Sequence, residues 1–405
     1  MMLRGKHILV GISGGIAAYK IPDLIRQLRK NGAEVKVTTT KNALEFVTEL
    51  TLQTLSGAKV YSDVFAAINE HSTEHISLPD WADAMIVAPA TANVLAKMSL
   101  GIADDALTTT FCAMRKPVVI APAMNDKMYA NPAVRDALET LSRRDNVTVL
   151  DCAEGELACG TTGKGRMQEP HLILEAVRYA LTPHTMADKN VLLTSGPTQE
   201  AIDPVRFISN HSSGKMGKAL ALSCWYRGAE VTVVSGPVHE TPEVPVFYED
   251  RNTMEVVPVT SAAEMAEAAK TRFPLADVAI LCAAVADFTP AQIAPQKIKK
   301  QPEQHTLTLN LVETQDIAAS LGASKQKNQM LVGFALETND ESAHAQAKLQ
   351  HKHFDYIVLN SLRDEGAGFG TETNKVTVFA ADGTKKDVPL QSKQDIAEAI
   401  ISLIQ

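Results

Sequence analysis

The residues best suited to chemistry fall in short clusters rich in glycine, asparagine or lysine. Ala158-Cys159-Gly160-Thr-Thr-Gly163-Lys-Gly165-Arg166-Met167 places a thiol among glycines, the composition of a mobile flap, with Arg166 available to an anionic group. Pro89-Ala-Thr91-Ala-Asn93 and Pro122-Ala-Met124-Asn125 each follow an apolar run. Their small residues let a planar ring approach the backbone, and each Asn offers a donor and an acceptor. Gly11-Ile-Ser13-Gly14-Gly15 reads as a strand-to-helix turn whose N–H groups and hydroxyl suit a phosphate, with Thr40 in the corresponding loop 38–42. It is not GxGxxG, so the dinucleotide fingerprint fails. His71-Ser-Thr-Glu74-His75 fits H-x-x-E-H, a zinc-peptidase pattern. Pro79 follows closely and no third ligand is evident, so an ordinary packed or surface His75 is the stronger reading.

The second half carries a different set. Ser209-Asn210-His-Ser212-Ser213-Gly214-Lys215-Met216-Gly217 departs from a P-loop at positions 209 and 216. Its hydroxyls, flexible backbone and lysine at a helix start still make a phosphate nest. Cys282-Ala283-Ala-Val-Ala-Asp287 ends an apolar run with a carboxylate, and Lys297-Ile-Lys299-Lys300 follows. A charge run is usually a solvated face, but a loop just past Asp287 suits the clamping of polyphosphate. Gly333-Phe334 follows another apolar run. Lys348 and Lys352 are four apart and share a helix face, where like charges are costly unless an anion lies between them.

These clusters need a scaffold, and comparison of the chain with itself supplies one. Lys6-His-Ile-Leu-Val-Gly-Ile-Ser13-Gly parallels Lys189-Asn-Val-Leu-Leu-Thr-Ser195-Gly; Gly32-Ala-Glu-Val parallels Gly228-Ala-Glu-Val; Ala82-Asp-Ala-Met-Ile-Val parallels Ala276-Asp-Val-Ala-Ile-Leu. Short apolar runs without alternation suit parallel strands covered on both faces. Ile21, Leu24, Ile25 and Leu28 mark one buried helical stripe, ended by Asn31-Gly32. The pattern predicts an α/β protein of two doubly wound, Rossmann-like parallel-sheet domains, residues 1–185 and 189–405, joined within the polar stretch Thr182–Asp188. Ligands in such sheets sit beyond the carboxyl ends of the strands, where the clusters fall.

Composition narrows the class. In 405 residues, Lys plus Arg is 39 and Asp plus Glu is 47, a net charge of −8, which argues against a nucleic-acid or membrane-surface protein. The cysteines, Cys112, Cys152, Cys159, Cys224 and Cys282, are odd in number and form no CxxC pair, which excludes a disulfide scaffold and the usual zinc spacings. No apolar run approaches the ~18 residues of a membrane span. The N-terminal Arg4 and Lys6 before Ile8–Ala18 imitate a signal peptide, but Gly11, Gly14 and Gly15 interrupt the run. A cytoplasmic protein is expected.

Taken together, the first-half motifs resemble the flavin-dependent cysteine decarboxylase family over about residues 5–180. The resemblance implies a flavodoxin-like domain of that type, bound FMN, held near Ser13, Gly14, Gly15, Thr40, Thr91, Asn93 and Met124, and decarboxylation of a C-terminal cysteine. It implies that His75 handles substrate oxidation, Asn125 binds the substrate carboxylate, Cys159 donates a proton, and Arg166 and Met167 contact substrate. Loss of CO2 needs an electron sink; a flavin can oxidise the cysteinyl thiol to a thioaldehyde, which fills that role. A free thiol has a pKa of about 8.5, so Cys159 would hold its proton near neutral pH.

Ser195-Gly-Pro-Thr198, the run Asp203-Pro-Val-Arg206 through Gly217, Ala284-Val-Ala-Asp287 and Lys297–Lys300 resemble the phosphopantothenate–cysteine ligase family over about residues 189–400. The resemblance implies CTP with Mg2+, near Cys282, Ala283, Asp287, Lys297, Asp316, Ile317, Phe334, Lys348 and Lys352. Arg206, Ser212, Ser213, Gly214, Lys215, Lys299 and Lys300 become further substrate contacts. Lys297 is assigned to forming an acyl-cytidylate and Asn210 to steering it. Thr314-Gln315-Asp316 departs from the family's common Asn-Pro-Asp. The order of the halves is similar to that of the bacterial bifunctional coenzyme A enzymes. It implies 4′-phosphopantothenate and cysteine as substrates and a dodecamer built from trimers and dimers. A nicotinamide-dependent dehydrogenase and a flavin-binding regulatory subunit are the rival readings.

Overall fold

Aliphatic and β-branched runs such as Ala84–Ala90 and Val118–Pro122, buried along their whole length, have no solvent face and so lie inside a sheet covered on both sides. The computed structural model describes residues 3–65, 74–156, 160, 162–248, 254–300, 306–337, 340–361 and 370–405. The chain divides into two compact units. One comprises Met1–Pro183 with Glu243–Arg251; the other comprises His184–Pro242 with Asn252–Gln405.

The first unit is built on six parallel strands, β1 (His7–Ile12), β2 (Glu34–Thr39), β3 (Val60–Tyr61), β4 (Ala84–Ala90), β5 (Val118–Pro122) and β6 (Val147–Val149). Their order is β3-β2-β1-β4-β5-β6, the doubly wound arrangement. The chain winds outward in opposite directions from β1 and β4, which opens a crevice at their carboxyl ends. Helix Ile21–Lys30 buries Ile21, Leu24, Ile25 and Leu28 completely. Asp23 in its first turn and Arg29 and Lys30 in its last oppose the helix dipole, and Gly32 takes φ +87° just beyond. An antiparallel hairpin, β7 (Ala153–Glu156) with β8 (Thr162–Arg166), stands apart from the sheet.

The segment Glu243–Arg251, far along the sequence, completes this unit. Val246 O accepts hydrogen bonds from Asp151 N (2.8 Å) and Gln168 Nε2 (2.5 Å), and Tyr248 N donates to Val149 O (2.9 Å). Phe247 pairs with Leu150 and its ring lies 5.3 Å from that of Tyr179.

The second unit contains β9 (Asn190–Ser195), the hairpin β10 (Gln199–Ala201) and β11 (Phe207–Ser209), β12 (Glu230–Ser235), β13 (Met254–Pro258), β14 (Val278–Leu281), the pair β15 (Phe288–Pro290) and β16 (Leu311–Glu313), β17 (Met330–Glu337), β18 (Tyr356–Ser361), β19 (Thr373–Ala380) and β20 (Lys385–Ser392). The main sheet runs β13-β12-β9-β14-β17-β18-β19-β20. It is parallel as far as β18, as the internal repeat predicts. The antiparallel β19 and β20 lie outside that repeat. β20 forms the edge, and Lys385, Lys386 and Pro389 blunt it against pairing with another chain. No helix among the described residues is long and apolar enough to cross a membrane.

Candidate functional site

In the first unit the carboxyl ends of the strands frame a cleft of about 1240 Å³. Its walls come from the loops that the sequence singles out: Gly14 and Gly15 after β1, Thr40 after β2, Thr91 and Asn93 after β4, Met124 and Asn125 after β5, and Arg166 and Met167 at the end of β8. Asn125 caps helix Asp126–Tyr129, its Oδ1 accepting from Lys127 N (3.0 Å). Ser13 is wholly buried and does not line the cleft. Its hydroxyl donates to Pro89 O (2.6 Å) and accepts from Thr91 N (3.0 Å), so it fastens the β1 loop to the β4 loop.

Hairpin β7–β8 is pinned at two points. Met124 N donates to Gly165 O (3.0 Å), so backbone meets backbone where only glycine leaves room. Lys164 forms an ion pair with Asp151, whose carboxylate also accepts from the Tyr129 hydroxyl and from Cys152 N. Burial, with Asp151 adjacent, raises the Tyr129 pKa, and burial pushes the Cys152 thiol up to about 12. Lys20 and Arg166 both line the cleft and share one oxygen of Glu169, at 2.6 and 3.3 Å; two cations against one carboxylate suit an anionic ligand. Lys97, by contrast, is held by Asp104 (2.6 Å) and Asp105 (3.2 Å).

His75 sits half-buried in the first turn of helix Glu74–Trp81 and is not among the cleft-lining residues. Pro79, which follows His75 closely in the sequence, lies inside this helix; the helix is short and Pro79 is buried, so packing offsets the missing N–H. His71 and Cys159 lie outside the described residues. The cleft fits a flavin mononucleotide in volume and chemistry: apolar and amide side chains lie beside basic groups. The buried Thr40 Oγ1 has no partner among the described residues and faces a demand that a ligand would satisfy. Asp63 and Val64 also line it; no sequence motif marks them.

Among the described residues of the second unit, cavities of about 800 and 160 Å³ lie at the strand ends. Ser212 and Ser213 line both. Asn210 lines the larger, and its Nδ2 donates to Ala284 O (3.1 Å) and Val285 O (3.0 Å), which ties the 209–217 loop to the end of β14. Gly214, Lys215, Cys282, Ala283 and Phe334 line the smaller cavity. Gly214 takes φ +75°, and a Cβ on Gly217 would stand 2.1 Å from Ser195 Oγ, so the turn into helix Lys215–Tyr226 is closely packed. Lys215 pairs with Glu372. Burial pushes the Cys282 thiol up to about 12.

Other expected residues do not reach these two cavities. Lys297, Lys299 and Lys300 are exposed on their loop, as is Asp287 after β14. Arg206 has its guanidinium engaged by Asp203 and Ile298 O. Asp316 caps helix Ile317–Ser324 through Ala319 N and pairs with Lys352 (2.9 Å); Ile317 is buried and Lys348 is exposed. The unusual Thr314 has a structural use: its hydroxyl donates to Ala286 O (2.6 Å) and its N–H to Asp287 O (2.9 Å). Lys393 and Asn374, on elements outside the repeat, also line the smaller cavity.

Two family models match, Flavoprotein over residues 1–182 and DNA/pantothenate metabolism flavoprotein C-terminal domain over residues 186–405. The chain is 45% identical over 403 residues to the coenzyme A biosynthesis bifunctional protein CoaBC of Vibrio vulnificus (strain CMCP6), covering 100% of this chain and 98% of that one. It is 46% identical over 406 residues to the protein of the same description from Bacillus subtilis (strain 168), covering 100% and 97%. A crystal structure of the C-terminal domain of a coenzyme A biosynthesis bifunctional protein CoaBC aligns at 36% identity and a TM-score of 0.44, covering 54% of this chain and 95% of that one.

Proposed function

We propose a function from one premise: the chain belongs to the family of bifunctional coenzyme A biosynthesis proteins. The second unit condenses 4′-phosphopantothenate with cysteine at the expense of CTP, and the first decarboxylates the product to 4′-phosphopantetheine. The observation that carries the first activity is the convergence of Thr40, Thr91, Asn93, Met124, Asn125 and Arg166 on one cleft.

In that cleft Gly14, Gly15, Thr40, Thr91, Asn93 and Met124 would hold FMN, which supplies two-electron redox chemistry when bound. Ser13 keeps two of its loops together. Asn125 binds the substrate carboxylate. Arg166 and Met167 cover the substrate and exclude water. His75 serves the oxidation of the substrate thiol, and Cys159 returns a proton after CO2 has left.

In the second unit a carboxylate is a poor acyl donor and must be activated. The 4′-phosphopantothenate carboxylate attacks the CTP α-phosphate, giving an acyl-cytidylate and pyrophosphate. Lys297 offsets the charge that develops, with Mg2+ accompanying the nucleotide. Lys299, Lys300, Lys348 and Lys352 add positive charge, and Asp287, Asp316, Ile317, Cys282, Ala283 and Phe334 shape the nucleotide site. Ser212, Ser213, Gly214 and Lys215 bind phosphate. Asn210, placed against Ala284 and Val285, steers the acyl intermediate while the cysteine amine displaces CMP. The free Cys112, Cys152, Cys224 and Cys282 fit a cytoplasmic enzyme. Exposed Leu50, Phe65 and Leu100 on the first unit fit burial in an oligomer, which we assign as a dodecamer.

The test is incubation of the purified chain with CTP, cysteine and 4′-phosphopantothenate, with pyrophosphate, CMP and CO2 followed separately. A yellow protein releasing all three supports the reading. Lys297→Gln should slow pyrophosphate release to a small residual rate, and Cys159→Ser should stall after CO2 loss. A colourless protein that takes up no FMN and ignores CTP would overturn it.

A further inference from the structure

The loop bearing Lys297, Lys299 and Lys300 belongs to no helix or strand, and its like charges repel. It is nevertheless fastened, and by one buried carboxylate. The Asp203 side chain is fully buried. Its Oδ1 accepts from Val205 N and Arg206 N, both at 2.9 Å. Its Oδ2 accepts from Arg206 Nε (3.0 Å) and from Ile298 N (3.1 Å), and Arg206 Nη2 donates to Ile298 O (2.9 Å). Both main-chain hydrogen-bonding groups of Ile298 are therefore held by one ion pair. Ala294 N adds a further link to Ile202 O (3.0 Å). Peptide groups are planar, so fixing the N–H and C=O of Ile298 fixes the backbone from which Lys297 and Lys299 spring. The Arg206 hydrogen bond also holds the Asp203 carboxyl well below the usual carboxylate range, so the clamp is ionised at neutral pH.

We propose that Asp203 is a positioning residue for the ligase reaction, acting with Arg206 to set Lys297 where it meets the nucleotide. This rests on the role of Lys297 proposed above. Arg206 thereby acts on the lysine loop, and the spacing Asp203-Pro-Val-Arg206 is explained by the turn that brings both side chains to Ile298. Neither residue needs to touch substrate.

The test uses the full chain and two readouts. Trypsin cleavage after Lys297, Lys299 and Lys300, followed by mass spectrometry, reports loop fastening. Pyrophosphate release from CTP and 4′-phosphopantothenate reports the chemical step. Asp203→Asn and Arg206→Gln should each raise cleavage at these lysines about tenfold and lower kcat for pyrophosphate release about ten- to a hundredfold, the worth of one charge-assisted hydrogen bond. Arg206→Lys keeps the charge without the fork and should fall between Arg206→Gln and wild type; it also serves if Asp203→Asn does not fold. In a Lys297→Gln background the Asp203→Asn cost should vanish, because the residue it positions is gone. Unchanged cleavage in the folded variants would overturn the fastening. An Asp203→Asn cost that persists undiminished in the Lys297→Gln background would overturn the link to Lys297. Normal pyrophosphate release by Lys297→Gln alone would overturn the role of Lys297 itself, a result distinguishable from the other two.

Discussion

Gly165→Ala tests how the β7–β8 hairpin closes the first cleft. The native backbone at Gly165 is not left-handed, so an alanine meets no conformational penalty; space decides the outcome. The new Cβ would lie 2.2 Å from Met124 O and 3.3 Å from the Asn125 carbonyl carbon. Non-bonded atoms prefer about 3.5–4.0 Å, so the hairpin and the Met124–Asp126 backbone must separate by more than about 1 Å. Overpacking of this kind costs about 1–3 kcal/mol. Loss of the Met124 N to Gly165 O hydrogen bond adds about 1 kcal/mol. The total of about 2–4 kcal/mol corresponds to a factor of about 30 to 900. Opening the hairpin locally relieves the clash more cheaply than unfolding the unit. The penalty should therefore appear in ligand affinity: FMN titrated into apoprotein, followed by flavin fluorescence, should bind at least about 30-fold more weakly than in the wild type. The melting temperature of the apoprotein should barely move. An FMN affinity within threefold of wild type would refute the reasoning, as would wholesale unfolding of the apoprotein.

Further outcomes follow from the same geometry. At Gly14 an alanine Cβ would meet the Asn42 backbone at 2.8 Å, whereas at Gly15 it would meet only the Thr91 methyl at 3.2 Å; Gly14→Ala should lose flavin binding and Gly15→Ala should largely keep it, as absorbance of the purified proteins will show. Iodoacetamide at pH 8 should label the exposed Cys112 in native protein but leave Cys152 and Cys224, whose thiols burial pushes up to about 12, unmodified until denaturant is added; peptide mass mapping reads this directly. The Asp203 carboxyl is depressed in the folded state, so its stabilising effect is fully present above the unfolded value of about 4 and is lost as pH falls through its lower folded value. The stability gap between wild type and Asp203→Asn in urea should thus be flat from pH 8 to pH 5 and shrink only in stronger acid.

Where periodicity and chemistry coincide, the sequence is legible. Ile21, Leu24, Ile25 and Leu28 specify a helix face and Gly32 its end, and both are as expected. The loops after β1, β2, β4 and β5 line the first cleft because a parallel sheet leaves its carboxyl edge open. Local pattern fails where partners are distant. Nothing near Ser13 says that its hydroxyl answers Pro89 and Thr91, and Asp203 shows its use only once Ile298 is beside it. Lys393, at the start of the last helix, reaches the smaller cavity through the packing of that helix against Lys215–Tyr226. The antiparallel strands β19 and β20 escape a search based on internal repetition because they have no counterpart in the first half.

The short stretch 243–248 bears on how such a protein can be divided. A gene cut at the 183/184 join would place Val246 and Phe247 on the wrong polypeptide. Asp151 and Gln168, both nearly inaccessible to solvent, would lose the carbonyl that answers them, and Tyr179 its aromatic neighbour. A stand-alone decarboxylase made by that cut would carry an open seam beside β6. Autonomy would require either a borrowed strip or resurfacing of that edge, so fission of the two activities is a matter of several substitutions and not of one stop codon.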